Sequence, residues 1–229
     1  MLWAAQRPRD ARPLAAGHGL IEGFRLTTST IDASELAIII IDVQPFFLEG
    51  WMAGETETLL GRLEFLLALA TVYDLPLLAT FEQPVERKGW LPQRLEPFFP
   101  AHGLKQTKRT FNCCGEPAIV DAIAGLGRRQ LAVAGGETDV CVLQSVLGLL
   151  REGYEVFLLE DALFSEEPHT GPAVRRMERA GAIPSTVKTL NYELRLSTAA
   201  APAEVEISKK APGLCLPEPE QLPDWKPVW

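Results

Sequence analysis

The chain has 229 residues, of which 47% are hydrophobic and 23% charged, which is typical of an ordinary globular protein with a sizeable core. The formal net charge of −8 argues against nucleic acids and anionic membrane surfaces as partners, because both require a basic footprint. The longest apolar stretch, residues 36–41, is far too short to cross a bilayer. We therefore expect neither a nucleic acid nor a membrane as a partner.

Strand and helix patterns alternate along the middle of the chain. The β-branched run "LAIIIIDV", which begins at Leu36, is typical of a strand buried on both faces of a parallel sheet. Short apolar runs predict five further strands, which begin near Pro76, Leu104, Gln130, Glu155 and Ile183. Helical spacing and helix-ending glycines predict helices at residues 56–75, 116–126, 138–153 and 172–181, and one after the last strand. Right-handed crossovers then give a three-layer α/β/α fold with a doubly wound, mostly parallel, Rossmann-like sheet.

The two ends of the chain differ from this middle part. Residues 1–30 carry arginines and alanines without the apolar core of a secretory signal, and residues 201–229 are proline-rich and aperiodic. We predict N- and C-terminal arms around a single domain at residues 31–200. The cysteines are Cys113, Cys114, Cys141 and Cys215. Their spacing matches neither a zinc site nor a dense disulfide framework, which favours a reducing cytoplasm.

Three reactive side chains fall at the carboxyl ends of predicted strands, where open α/β sheets collect their ligands. Asp42 closes the first strand, Lys108 closes the third, and Cys141 lies in the first helical turn after the fourth. Each alone has a plain structural interpretation, as a turn carboxylate, a solvated ammonium group or a packing thiol. Together around one crevice, they indicate a cysteine nucleophile.

The placement of Cys141 suits such a nucleophile. A cysteine attacks as its thiolate, and a helix N-terminus and a nearby ammonium group both lower the pKa of a thiol. We therefore expect Lys108 to keep Cys141 ionised, and Asp42 to accept the thiol proton and pass it to a leaving amine or an attacking water. Thr138 is expected as the N-cap, which puts Cys141 at the third helical position. The backbone N–H groups around Glu137 and Cys141 then form an oxyanion hole.

The stretches "IIIIDVQPFF", "KRTFNCC", "GGETDVCV" and "GYEVFLLEDA" resemble, in order and spacing, the isochorismatase-like cysteine hydrolases. That superfamily includes nicotinamidase and N-carbamoylsarcosine amidohydrolase. The resemblance extends over residues 36–196 and implies Asp42, Lys108 and Cys141 as the catalytic triad. Isochorismatases proper do not need the cysteine. Its presence therefore favours a hydrolase that cleaves a C–N bond, in an amide or ureido group of a small molecule, through a thioester acyl-enzyme.

The resemblance also bears on the backbone and on metals. It implies a non-proline cis peptide bond between Gly136 and Glu137, directly before the nucleophile's turn. Metal-binding nicotinamidases carry an Asp-x-His pattern and a second histidine after the first strand, where this chain reads "QPFFLEGWMAGETE". The histidines of the chain are His18, His102 and His169. We expect no catalytic metal and no cofactor, and we expect a homo-oligomer because family members commonly form oligomers.

The substrate pocket is the least determined part of the site. Candidates in the loops after the strands are Phe47, Trp51 and Trp90, which are equally consistent with packing at a subunit interface. Asn112 follows the lysine motif and is a candidate for orienting a substrate carbonyl. Cys113 and Cys114 fit small packing positions, and a redox role for either stays open.

Two other functions stay open. The first is a non-catalytic oligomeric binding protein on the same scaffold, which the long proline- and tryptophan-bearing arms and the missing metal ligands suggest. The second is hydrolysis of a vinyl ether of the isochorismate type, in which the cysteine would be idle.

Overall fold

Six parallel strands form one sheet at the centre of the molecule. The computed structural model of the chain describes residues 30–49 and 56–195. The strands are β1 Leu36–Ile41, β2 Leu77–Glu82, β3 Leu104–Lys108, β4 Gln130–Gly136, β5 Glu155–Phe164 and β6 Ile183–Ser185. Their order is β3-β2-β1-β4-β5-β6, and every neighbouring pair is parallel. The predicted doubly wound α/β fold is thereby confirmed.

Helices cover both faces of this sheet. They are α1 Pro45–Glu49, α2 Thr56–Val72, α3 Val85–Lys88, α4 Pro117–Gly125, α5 Leu143–Arg151, α6 Gly171–Arg179 and α7 Val187–Arg195. Helices α1 and α3 were not predicted, because one turn is too short to show a 3.6-residue period. In the part of the chain that the structure describes, no helix is long and apolar enough to cross a membrane.

The side chains of β1 show how the two hydrophobic layers arise. Ile38 and Ile40 pack into the layer that contains the buried faces of α2 and α7. Ile39 and Ile41 pack on the opposite face, against residues of α4, α5 and α6. This alternation follows from the two-residue period of a strand, and it explains why a strand covered on both faces is apolar throughout.

The strand order reverses between β1 and β4. From β1 the chain adds β2 and β3 on one side of the sheet, and then β4, β5 and β6 on the other. Ligands of open α/β sheets bind at such a switch point, outside the carboxyl ends of the strands. Asp42 follows β1 and Cys141 follows β4, so the topology alone brings them to the same crevice. The predicted arms lie almost wholly outside the described residues, and the domain boundaries stay predictions.

Candidate active site

Asp42 is fixed by its neighbours on β1 and β2. It follows the last residue of β1 with φ 47°, in the left-handed region that few residues other than glycine adopt. Its backbone N–H donates to the carbonyl of Thr80 in β2 at 3.1 Å, so the sheet pairing continues through it. The hydroxyl of Thr80 donates to Asp42 Oδ1 at 2.9 Å. The carboxylate is therefore held at the sheet edge and is only 1% exposed.

Lys108 contacts both other residues of the predicted triad. It is the last residue of β3, and its side chain is 0% exposed. Its Nζ lies 2.5 Å from Asp42 Oδ2 and 3.4 Å from Cys141 Sγ, and it donates to the carbonyl of Thr110 at 3.1 Å. A buried ammonium group is tolerated only with such partners. The structure thus brings Asp42, Lys108 and Cys141 into direct contact.

Cys141 lies in a wider turn than the sequence predicts. A π-helical turn, Thr138–Val142, precedes α5, and its N-cap is Glu137. The N–H of Val142 donates to the carbonyl of Glu137 at 3.0 Å, five residues back. The Thr138 hydroxyl donates to the carbonyl of Phe164 at 3.0 Å. The prediction of Thr138 as N-cap of an α-helix is therefore wrong, because this hydroxyl ties the turn to β5 instead.

Two glycines let β4 end close to its neighbours. Gly135 has φ 114°, and a Cβ there would run into the backbone of Ile41 in β1. A Cβ at Gly136 would collide with the ring of Phe164. The peptide bond between Gly136 and Glu137 is cis. Glycine is thus required at Gly135 by both its conformation and its close approach to β1.

Burial dominates the electrostatics of the site. It raises the pKa of the Asp42 carboxyl, although the charge of Lys108 acts in the opposite direction. Burial also opposes the charge on Lys108, but the surrounding negative groups, Asp42 foremost, outweigh it and raise the pKa of the ammonium group.

The same balance acts against the thiolate form of the nucleophile. Burial, and after it the charge of Asp42, raises the pKa of the Cys141 thiol, and Lys108 only partly offsets them. The charge of Lys108 is itself compensated by Asp42, 2.5 Å away. That Lys108 keeps the thiol ionised stays a prediction.

Glu82 is a fourth member of the cluster that the sequence analysis missed. It is the last residue of β2, and its side chain is 14% exposed. The Cys141 thiol donates to Glu82 Oε2 at 3.4 Å, and the same oxygen lies 4.0 Å from Lys108 Nζ. The strand-end rule that identified the other residues applies equally to the last letter of "LLATFE" and would have found it.

The acidic groups and the thiol form a set that could hold a metal ion. One ligand atom each from Asp42, Glu82 and Cys141 lies within 4.8 Å of the others. The Lys108 ammonium, however, is 2.5 Å from Asp42, 3.4 Å from Cys141 and 4.0 Å from Glu82. It is the cation that these groups surround, and a metal ion would have to displace it.

The two described histidines have partners elsewhere. Nε2 of His102 lies 3.0 Å from the carbonyl of Leu75, and Nδ1 of His169 lies 3.0 Å from Glu167 Oε1. His18 lies outside the described residues.

The pocket candidates have different surroundings. Phe47 is partly buried against the hydrophobic layer of α2, and Lys88 Nζ lies 5.3 Å from the centre of its ring. Trp90 is 45% exposed and packs on the ring of Phe81, with 5.1 Å between the ring centres. Trp51 lies outside the described residues.

The Asn112–Cys114 segment packs beneath α5. The side-chain oxygen of Asn112 accepts the N–H of Cys114 at 2.9 Å, so it caps a short 3₁₀ turn. Its role in orienting a substrate carbonyl stays a prediction. The thiols of Cys113 and Cys114 are not joined in a disulfide and lie 4.0 Å apart, and the N–H of Cys113 donates to the hydroxyl of Ser145 at 3.0 Å. These contacts fit the packing interpretation of the two cysteines.

Comparison with known proteins yields a family and several relatives. A family model described as "Isochorismatase domain" matches residues 36–189. The "Probable hydrolase YcaC" of Escherichia coli strain K12 is 28% identical over 132 residues, which cover 58% of this chain and 64% of that protein. In that alignment the chain spans less than two thirds of the relative's length.

Solved structures with the same fold include two YcaC proteins. The structure of YcaC from Pseudomonas aeruginosa "with hexane-2,5-diol and covalent acrylamide" has a TM-score of 0.74 and 25% identity, covering 83% of this chain and 96% of that one. The E. coli YcaC structure, described as an octameric hydrolase of unknown specificity, has a TM-score of 0.72 and 26% identity, covering 81% of this chain and 92% of that one. The family match spans more than half of the 229 residues, so this chain belongs to the isochorismatase family, as the resemblance of its motifs predicted.

Proposed function

We propose that this protein is a cysteine hydrolase that cleaves a C–N bond, in an amide or ureido group of a small molecule, through a thioester acyl-enzyme. The observation that carries the proposal is the contact of a thiol with a buried ammonium–carboxylate pair, 3.4 Å from Cys141 Sγ to Lys108 Nζ and 2.5 Å from there to Asp42. Folding does not require a buried lysine and aspartate beside a cysteine, because burying such a pair costs solvation energy.

The first half of the reaction forms the thioester. Cys141 Sγ attacks the substrate carbonyl carbon, and its proton moves to a carboxylate that contacts the sulfur, of which Asp42 is one. Because burial raises the pKa of the Cys141 thiol, proton loss accompanies the attack. Lys108 stabilises the thiolate as it develops, and Asp42 keeps that lysine charged and in place. The backbone N–H groups of Glu137 and Cys141 are proposed to stabilise the negative charge on the carbonyl oxygen.

The second half releases the products. The tetrahedral adduct collapses, its C–N bond breaks, and the leaving nitrogen takes a proton from the site. Water then attacks the thioester and restores the Cys141 thiol. Cys141 is only 2% exposed, which favours a substrate whose reacting group is small and flat, such as an amide. Phe47, Trp51 and Trp90 stay candidates for the pocket that holds the rest of the substrate.

Assembly and location belong to the same proposal. The E. coli relative is described as an octamer, and we propose that this chain also forms a homo-oligomer. We also propose a cytoplasmic location, because the spacing of the four cysteines gives no dense disulfide framework.

The test combines labelling with turnover. Acrylamide is a small neutral electrophile, and a relative's structure contains it in covalent form. We expect it to label Cys141 in the wild-type protein, and ammonia release from a panel of small amides and ureido compounds to disappear in Cys141→Ala. The matched control, Cys114→Ala, should keep both properties. Labelling confined to Cys113, Cys114 or Cys215 would contradict the proposal.

A further inference from the structure

The proposed reaction needs a group that exchanges protons between the sulfur and whatever enters or leaves the site. Asp42 is poorly suited to this exchange. It is 1% exposed, its Oδ1 accepts from Thr80, and its Oδ2 is in the ion pair with Lys108. A leaving nitrogen or a water molecule from solvent therefore has little access to this carboxylate.

Glu82 contacts the same sulfur. Its Oε2 is 3.4 Å from Cys141 Sγ, with the thiol as donor, and its side chain retains 14% exposure where that of Asp42 has 1%. Of the two carboxylates in contact with the nucleophile, it is thus the one that solvent can reach. It also stands 4.0 Å from the ammonium group of Lys108, so it shares the same electrostatic environment.

Glu82 is also held rigidly, as proton transfer requires. The fully buried Gln44 accepts the N–H of Glu82 at 2.7 Å and donates to its carbonyl at 3.1 Å. The same amide donates to the carbonyl of Gly89 at 2.7 Å, which closes the loop that carries α3. Lys88 of α3 pairs with Glu82 Oε1 and leaves Oε2 directed at the sulfur.

We propose that Glu82 is a fourth catalytic residue, which carries the proton between Cys141 and the leaving nitrogen and then takes a proton from the attacking water. This inference rests on the proposed function. As the S–C bond forms, the S–H proton moves to Glu82 Oε2. As the C–N bond breaks, that proton passes to the nitrogen, and Glu82 is again a carboxylate. In deacylation it accepts a proton from water and returns it to the departing sulfur, while Asp42 stays paired with Lys108.

The experiment separates acylation from deacylation with 4-nitrophenyl acetate. Its leaving group departs without protonation, so the initial burst of nitrophenolate reports thioester formation and the steady rate reports hydrolysis. The variants are Glu82→Gln, which keeps the shape of the side chain, and Glu82→Asp, which keeps a carboxylate. The control is Glu86→Gln, which removes one negative charge from an exposed position of α3. Urea denaturation checks that each variant remains folded.

We expect Glu82→Gln to slow both the burst and the steady rate at least about 100-fold, because the thiol loses its proton to Glu82 in the first step and water loses one to it in the second. Glu82→Asp should recover at least about a tenth of the wild-type rate, and Glu86→Gln should stay within about twofold of wild type. A steady rate in Glu82→Gln close to that of wild type would overturn the inference and leave the proposed function standing. A burst as fast as that of wild type in Glu82→Gln, or no recovery in Glu82→Asp, would also overturn it. A wild-type protein without any burst at Cys141 would refute the proposed function itself.

Discussion

Replacing Lys108 by methionine should destabilise the protein by an amount that depends on pH. At 2.5 Å from Asp42 Oδ2, the ammonium group gains about 7 kcal/mol of Coulomb attraction at an effective dielectric constant of about 20. The measured decrease in the free energy of unfolding will be smaller, because the Asp42 carboxyl becomes protonated when its partner is removed, instead of staying charged in the core. Protonating a carboxyl of ordinary pKa costs about 4 kcal/mol at pH 7 but only about 1.5 kcal/mol at pH 5. These figures are the upper limits of the penalty at the two pH values.

The sign of this pH dependence follows from proton counting. Burial already raises the pKa of Asp42 in the wild-type fold, and Lys108→Met raises it further. The folded variant then binds one more proton than its unfolded chain, so its stability decreases by about 1.4 kcal/mol for each unit of rising pH. In Lys108→Met with Asp42→Asn this added slope should vanish, because no buried carboxyl is left to titrate.

Urea denaturation of the variants at pH 5 and pH 7 measures these differences. Lys188→Met, at an exposed position of α7, is the control and should change the free energy of unfolding by less than about 0.5 kcal/mol. A penalty for Lys108→Met that is equal at the two pH values, or below about 1 kcal/mol at pH 7, would refute the reasoning about the buried pair.

Three further predictions concern neighbouring parts of the site. Because the pKa of the Cys141 thiol is raised, its alkylation rate by iodoacetamide should still increase with pH above the ordinary thiol pKa of about 8.5, and a plateau near neutral pH would contradict this. Gly135→Ala should lower the free energy of unfolding by at least about 2 kcal/mol, because of its positive φ and the clash with β1, whereas Gly125→Ala, with open space around it in α4, should not destabilise. Thr80→Val should cost about 1–3 kcal/mol in urea denaturation, because it leaves the buried Asp42 Oδ1 without its hydroxyl donor, and an unchanged stability would show that this hydrogen bond is dispensable.

The sheet and the central triad could be predicted from the sequence because both depend on local patterns. An apolar run such as "LAIIIIDV" marks a strand covered on both faces, and strand ends in a doubly wound sheet converge at one edge. The contacts within the triad of Asp42, Lys108 and Cys141 could therefore be expected from the strand positions alone, without any knowledge of distances.

What could not be predicted depends on contacts between distant segments. The π-helical turn at Cys141 forms with the Thr138 hydroxyl bonded to β5, 26 residues further along the chain. The raised pKa of the Cys141 thiol depends first on its burial and then on the charge of Asp42, and both follow from contacts between distant segments.

The most direct measurement of the central claim is the site of acylation. The protein is mixed with 4-nitrophenyl acetate, quenched in acid during the burst, digested, and its peptides are weighed by mass spectrometry. The account predicts one acetylated peptide, the one that contains Cys141. It predicts no acetylated cysteine peptide from Cys141→Ser, because this variant lacks the reactive thiol. An acetyl group found only on Cys113, Cys114 or Cys215, or no acetylated cysteine at all, would contradict it.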